Sequence, residues 1–388
     1  MNVFEGKPVL SQAQARQALD VCVGQVRRNL PKFTRACQNH SSIHNVYPPC
    51  DNDQWTCGFW PGEVWLAYER DGGEAFKTTG LILADSFLDR AERGVALDHH
   101  DMGFLYTPAC VAAWKLTGYE PARRAALMAA GRLLARFQPV GEFFQAWGEL
   151  GAPDNYRYII DCLLNLPLLY WAADESGDPR YRTLAGRHIA TCLRHSVRDD
   201  GSTFHTVFMD RETGRMSRGA TCQGYHDNSS WARGQAWAIY GLALSYRYVR
   251  DPVYKEAFDR VLAYYLTRLP DDLVPYWDMI FTSGDAEPRD SSSASITACG
   301  LLEMAGLTPP AEARRYRRLA GQTLKSLVDH YSVKNPEESN GLVLHGTYSK
   351  KSPYNTCTQE GVDECVSWGD YFYMEALTRL RGRWEPYW

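Results

Sequence analysis

The sequence predicts an all-α (α/α)6 barrel, a toroid of six helical hairpins spanning residues 1–388 as a single domain. Three observations predict it. Polar turns give way to apolar, aromatic stretches about six times, roughly 50 to 75 residues apart, as a repeated supersecondary unit requires. Amphipathic segments with apolar positions three and four residues apart lie between them. Strand signals are few and short.

The first polar-to-apolar switch, Asp51-Asn52-Asp53-Gln54-Trp55-Thr56-Cys57-Gly58, reads Asp-Asn-x-x-Trp-x-x-Gly. The same pattern returns as Asp227-Asn228-Ser229-Ser230-Trp231-Ala232-Arg233-Gly234. Further switches occur at Asp101, Asp161, Asp290-Ser291-Ser292 and between Asp363 and Trp368. Amphipathic helices are expected at 12–29, 74–93, 121–137, 179–195, 252–268 and 311–331. Several start just after Pro or Asp, as helix N-termini do. These carry charge on one face and form the outer ring; the more apolar segments form the inner ring. Segments 203–209 and 214–217 predict a short hairpin, and 341–348 a further strand. The latter lies in a loop, 334–365, too long to be idle in a compact domain.

Composition narrows the function. Of 388 residues, 45% are apolar and 23% charged, as in ordinary globular proteins. The net charge of −4 and the lack of a basic run argue against a nucleic-acid partner. Arg314, Arg315, Arg317 and Arg318 are expected on the solvated face of one amphipathic helix. No apolar run reaches membrane-spanning length. Met1 to Pro8 lacks the pattern of a signal peptide. The 11 cysteines are odd in number and contain no Cys-x-x-Cys pair, which predicts reduced thiols in a cytoplasmic protein. Nothing in the sequence sets an oligomeric state. Aromatics reach 13%, with 12 Trp and 23 Tyr, a surplus suited to stacking on sugar rings as well as to filling a core.

Two segments carry the chemistry: Asp98-His99-His100-Asp101-Met102-Gly103-Phe104 and Tyr158-Ile159-Ile160-Asp161-Cys162-Leu163-Leu164-Asn165-Leu166-Pro167. Each sets an aspartate at the edge of an apolar run that reads as a buried helix. A carboxylate beside a core needs hydrogen bonds, a counter-charge or a proton. Two in one pocket would raise one pKa and make Asp161 a general acid near neutral pH. The alternative is that both aspartates cap helices. His99 and His100 are adjacent, so they lack the i, i+4 spacing of a zinc helix, and metal catalysis is not expected. His100 is expected beside the aspartates and His99 in a structural role. Trp55, Trp147 and Trp237 are candidates for sugar stacking, Trp237 sharing a helix face with Arg233. His205, Gln223 and Arg233 could bind an acidic sugar. Ser349-Lys350-Lys351-Ser352 could hold a sulfate or carboxylate, or be a solvated charge cluster. There is no phosphate loop, nucleophile elbow or dinucleotide fingerprint.

With these pieces in order, the chain resembles the unsaturated glucuronyl hydrolases, glycoside hydrolase family 88, from about Asp51 to Leu380. The resemblance rests on Leu97 to Tyr106, Gln145-Ala146-Trp147-Gly148, Ile160 to Pro167, Trp231-Ala232-Arg233-Gly234-Gln235-Ala236-Trp237, Asp290-Ser291-Ser292-Ser293-Ala294 and Trp368-Gly369-Asp370-Tyr371. It implies the same barrel. It also implies action on oligosaccharides left by polysaccharide lyases, which carry a 4,5-unsaturated uronic acid at the non-reducing end. The reaction hydrates that enol-ether double bond. The resemblance makes Asp161 the acid/base and Asp101 the second essential aspartate. His100, Trp147, His205, Gln223, Arg233 and Trp237 match substrate-contacting positions, and Trp55 an aromatic at the same mouth. It implies no metal and no organic cofactor. Chondroitin or hyaluronan fragments are the expected substrates; pectin fragments, handled by the related unsaturated rhamnogalacturonyl hydrolases, are the alternative. Some members share a Ser-x-x-Ser-x-Lys loop for sulfated sugars. Ser349 and Ser352 match it, but Tyr354 stands at the lysine position, so either Lys350 or Lys351 substitutes or the preference for sulfate is weak.

Overall fold

In the computed structural model, which describes residues 3–388, twelve helices close a double ring. The outer helices are α1 (Gln12–Phe33), α3 (Glu74–Arg93), α5 (Glu120–Ala135), α7 (Pro179–His195), α9 (Pro252–Thr267) and α11 (Pro310–Ser326). The inner ones are α2 (Phe59–Asp71), α4 (102–117), α6 (Pro167–Ser176), α8 (Ala232–Val249), α10 (Ser291–Ala305) and α12 (Ser367–Arg381). Each inner helix touches the next, and α12 returns to α2, so the ring is closed. This is the (α/α)6 barrel the sequence predicts.

Local chemistry explains the boundaries. Asp178 and Asp251 each cap the helix that a proline opens, accepting from the backbone N–H of Arg180 and Val253. Ser11 and Gln14 form a reciprocal capping box at the start of α1. The two rings differ in what they bury. Every residue of α8 from Ala232 to Ser245 is buried, as an inner helix requires. In α11, Arg314, Arg315, Arg317 and Arg318 are exposed, the solvated face expected. Predicted and observed limits coincide for α3 and α7. The segment expected as one helix over 311–331 ends at Ser326 and continues as a wider turn, Leu327–Tyr331.

One boundary differs in kind. The apolar run around Asp161 is not one helix. After four two-residue strands, β1 (Cys37–Gln38), β2 (Pro49–Cys50), β3 (Phe137–Gln138) and β4 (Phe143–Phe144), Arg157–Ile159 is a fifth, β5; Ile160–Leu164 is a tight 3-10 turn; the helix begins only at Pro167. Proline lacks an N–H and suits the first helical turn, so it sets the start there. Strand β5 joins the predicted hairpin, β6 (Thr206–Met209) and β7 (Met216–Ala220), in a three-stranded antiparallel sheet. The long loop also carries a hairpin, β8 (Gly346–Ser349) with β9 (Glu360–Glu364). Both sheets sit at the mouth formed by the N-terminal ends of the inner helices, because their residues line one cavity with Asp101 and Asp161. All eleven cysteines are unpaired thiols. Among the described residues, no helix is long and apolar enough to cross a membrane. The expectation about a signal peptide falls partly on Met1 and Asn2, outside the described residues.

Candidate active site

A cavity of about 300 Å³ opens at that mouth. It is lined by Asp101, Asp161, His100, Trp55, Trp147, His205, Gln223 and Ser349, eight of the residues singled out in the sequence. It also takes Arg157, Ile159, Tyr348 and Glu360, which were not.

Asp101 precedes α4 but caps nothing through its side chain. Gly103 allows the first turn of α4 to approach the backbone at Asn165. A Cβ there would lie 2.5 Å from Asn165 Cα. This close approach lets one side chain serve both aspartates. The Asn165 amide donates to Asp101 Oδ1 at 3.4 Å and to the Asp161 carbonyl at 3.2 Å. Its oxygen accepts the Phe104 N–H at 2.8 Å. His99 Nε2 donates to the Ala96 carbonyl at 2.9 Å, leaving Nδ1 to accept the Asp101 N–H at 3.1 Å. His100 Nε2 lies 3.3 Å from Asp101 Oδ1. His99 therefore orients Asp101 from below, as expected, and its ring also stacks under Trp147 at 4.4 Å.

The two carboxyls are driven apart electrostatically. Burial works against charge on Asp101, but His100, His99 and Asn165 outweigh it and hold its pKa below the ordinary carboxylate value. Asp161 goes the other way. Burial and the neighbouring Asp101 charge raise its pKa to about 7, against the opposing pull of Arg233. Asp161 Oδ1 is out of solvent and has no hydrogen-bond partner in the protein. One carboxylate is thus ionised and the other half-protonated near neutrality, the separation that assigns base and acid roles. Asp101 holds the N-cap position of α4 without a side-chain bond to it, and Asp161 lies inside the tight turn, so neither carboxyl caps a helix and that alternative falls.

His100 and His205 are neutral at neutral pH. Burial lowers His100 to about 4 and His205 to about 3. His205 Nδ1 accepts the backbone N–H of Cys222 at 3.0 Å, which leaves its proton on Nε2. Gln223 donates to the Tyr348 carbonyl at 3.0 Å. Trp55 stacks on Trp368 at 5.2 Å and donates to the Tyr348 hydroxyl at 3.2 Å. Trp147 is 38% exposed and offers its free face to a ligand.

Three predicted residues do not reach the cavity wall. Trp237 is fully buried, its ring 4.9 Å from Phe104 and 5.7 Å from Phe372. It shares a face with Arg233, as the spacing required, but one turn deeper in the barrel, where no sugar can stack. Arg233 is buried between Trp231 and Trp368 and donates to Asp290, the Thr347 carbonyl and the Tyr348 carbonyl. It acts on Asp161 through its charge and ties down the β8 backbone. Ser352 is buried and donates to the Tyr225 carbonyl. The lysines expected to help it are also engaged elsewhere. Lys350 lies 3.7 Å from Glu287, and Lys351 donates to the Asn355 carbonyl at 2.9 Å. Neither lines the cavity.

Of the missed residues, Asn165 had a signal, since it follows Asp161 by four positions inside the quoted segment. Tyr348 had none, because the β8–β9 hairpin brings it to Trp55 from 293 residues away.

An all-helical toroid with an unequal carboxyl pair in an aromatic-walled cavity defines a sugar-processing barrel enzyme. The sequence pattern of Glycosyl Hydrolase Family 88 matches residues 29–379, and the chain belongs to that family. It is 45% identical over 387 residues to the unsaturated chondroitin disaccharide hydrolase of Streptococcus pyogenes serotype M1, covering 99% of this chain and 96% of that one. The crystal structure of unsaturated glucuronyl hydrolase from Streptococcus agalactiae superposes with a TM-score of 0.95 at 42% identity, covering 100% of this chain and 96% of that one. A mutant of that enzyme complexed with dGlcA-GalNAc6S superposes with a TM-score of 0.87 at 39% identity, with the same coverage.

Proposed function

We propose that this enzyme removes the 4,5-unsaturated uronic acid from the non-reducing end of lyase-generated glycosaminoglycan oligosaccharides of the chondroitin or hyaluronan type. One observation carries the reading: the unpartnered Asp161 Oδ1, on a carboxyl raised to about 7 beside an ionised Asp101. Asp161 gives its proton to carbon 4 of the enol ether. It then takes a proton from the water that adds at carbon 5. The resulting hemiketal opens and releases the remaining sugar. Asp101 keeps Asp161 protonated and holds the ring. Trp147 and Trp55 offer stacking faces, and His205 Nε2 a hydrogen-bond donor. The names of the relatives support the glucuronyl reading over the rhamnogalacturonyl one.

The whole chain, 1–388, is taken to form this one catalytic domain. Eleven free thiols support a reducing, cytoplasmic location. The test is the ultraviolet absorbance of an unsaturated chondroitin disaccharide with EDTA present. A steady fall on adding enzyme is expected. A rise on intact polysaccharide would mark a lyase instead. Turnover of pectin-derived disaccharides alone would move the substrate class.

A further inference from the structure

One group at the cavity wall remains unused by this chemistry. Arg157 is, among the described residues, the sole arginine or lysine lining the cavity. Among the described residues it forms no ion pair within 4 Å, and its Nε is out of solvent with no hydrogen-bond partner. Asp154 acts on it only at longer range. Strand alternation explains its direction. Arg157, Ile159 and Asp161 face the cavity, while Tyr158 and Ile160 are buried between them. Arg157 lies two residues before Ile159, about 7 Å along the strand, and Asp161 follows Ile159 in the tight turn, so Arg157 stands farther along the cavity wall from the reacting carboxyl than Ile159 does.

The sheet places a second free cation beside it. Arg157, Phe208 and Arg218 are direct cross-strand partners on β5, β6 and β7, so they share one face. The guanidinium carbons of Arg157 and Arg218 lie 5.6 and 3.9 Å from the Phe208 ring centre. Arg218 is exposed and, like Arg157, has no carboxylate partner within 4 Å among the described residues. Arg157 and Arg218 flank β6 on the same face, about 10 Å apart by two strand spacings at the backbone, and an anion between them would join two charges that are otherwise unneutralised. Meanwhile Lys350 and Lys351 are occupied elsewhere, so the hairpin loop supplies no cation to the cavity.

We propose that Arg157, with Arg218 across the Phe208 ring, seats a sulfate ester on the amino sugar beyond the cleaved bond. The proposal rests on the function proposed above and adds which residues read the anion. Planar guanidinium groups suit the tetrahedral oxygens of such an ester better than a lysine does.

The experiment measures kcat/KM on unsaturated chondroitin disaccharide with and without 6-sulfation. For Arg157→Gln, the ratio of sulfated to unsulfated kcat/KM should fall about tenfold or more, the loss of a charge-assisted contact. Arg218→Gln should lower it less, and Arg157→Lys should restore part of it. Rising salt should shrink the wild-type ratio. Should Arg157→Gln fail to fold, the exposed Arg218→Gln still decides. A ratio unmoved in both variants overturns the proposal, as does a wild-type enzyme that turns over only the unsulfated sugar. If the wild type turns over neither sugar, the proposed function itself falls.

Discussion

The barrel buries carboxylates at both ends of its inner helices, on opposite terms. At the far end, Glu303 and Glu375 are saturated. Glu303 accepts from Arg247 at 3.0 Å and from Arg379 at 2.7 Å. Glu375 accepts from Arg379 at 2.8 Å, from the Tyr240 hydroxyl and from Trp388 Nε1 at 2.7 Å. Every oxygen there has a donor. At the mouth, Asp161 Oδ1 has none, and its neighbour is another carboxylate. A buried charge is tolerable when paired and costly when not, and Asp161 keeps its unpartnered oxygen at the wall of the cavity, where a reacting atom can reach it. The first cluster holds the barrel together; the second holds a proton.

The comparison is broken most forcefully at the mouth. Asp161→Asn should lower kcat by about 10³- to 10⁴-fold, the upper range for a general acid/base, with the fold intact by circular dichroism. It should also stabilise the protein. Folded Asp161 binds its proton more tightly than the unfolded chain does, so its cost accumulates as pH rises from the ordinary carboxylate value to about 7. At pH 8 the variant should gain up to about 4 kcal/mol in urea unfolding, and at pH 3 almost nothing. Arg379→Ala tests the far end. It should cost about 3–5 kcal/mol of stability by leaving the buried Glu375 without its cation and Glu303 with Arg247 alone, while kcat per folded molecule stays within about twofold. A reversed pattern, with stability lost at Asp161 and turnover lost at Arg379, would undo the distinction.

How legible was this in the sequence? The outer helix α7 was readable to the residue, because Asp178-Pro179 opens it and its basic last turn closes it. Both aspartates were visible as polar residues at the edges of apolar runs. What failed was local. Tyr158-Ile159-Ile160 reads equally as helix or strand, since a short apolar run has no decisive period. Missing β5 hid the alternation that turns Arg157 toward the cavity. Trp237 was misplaced for a related reason. Helical spacing gives the face a residue shares but not its depth along the barrel. Tyr348 depends on a hairpin folding back over the mouth, which no local pattern encodes.

Smaller changes sharpen the comparison. Asp101→Asn should lower kcat/KM about 10²-fold. It should also move the high-pH limb of the rate profile downward, because the charge that raises Asp161 is gone. Trp147→Ala should raise KM about two- to tenfold, the worth of one stacking face, with kcat little changed.

The pH dependence of kcat/KM on unsaturated chondroitin disaccharide, measured for the wild type and for Asp101→Asn, tests the central claim most directly. The acid must be protonated, so the wild-type rate should fall as pH rises through about 7, and the limb should shift down in the variant. A rate that climbs through pH 7, or a limb that stays in place without Asp101, would contradict the assignment of Asp161 as the proton donor.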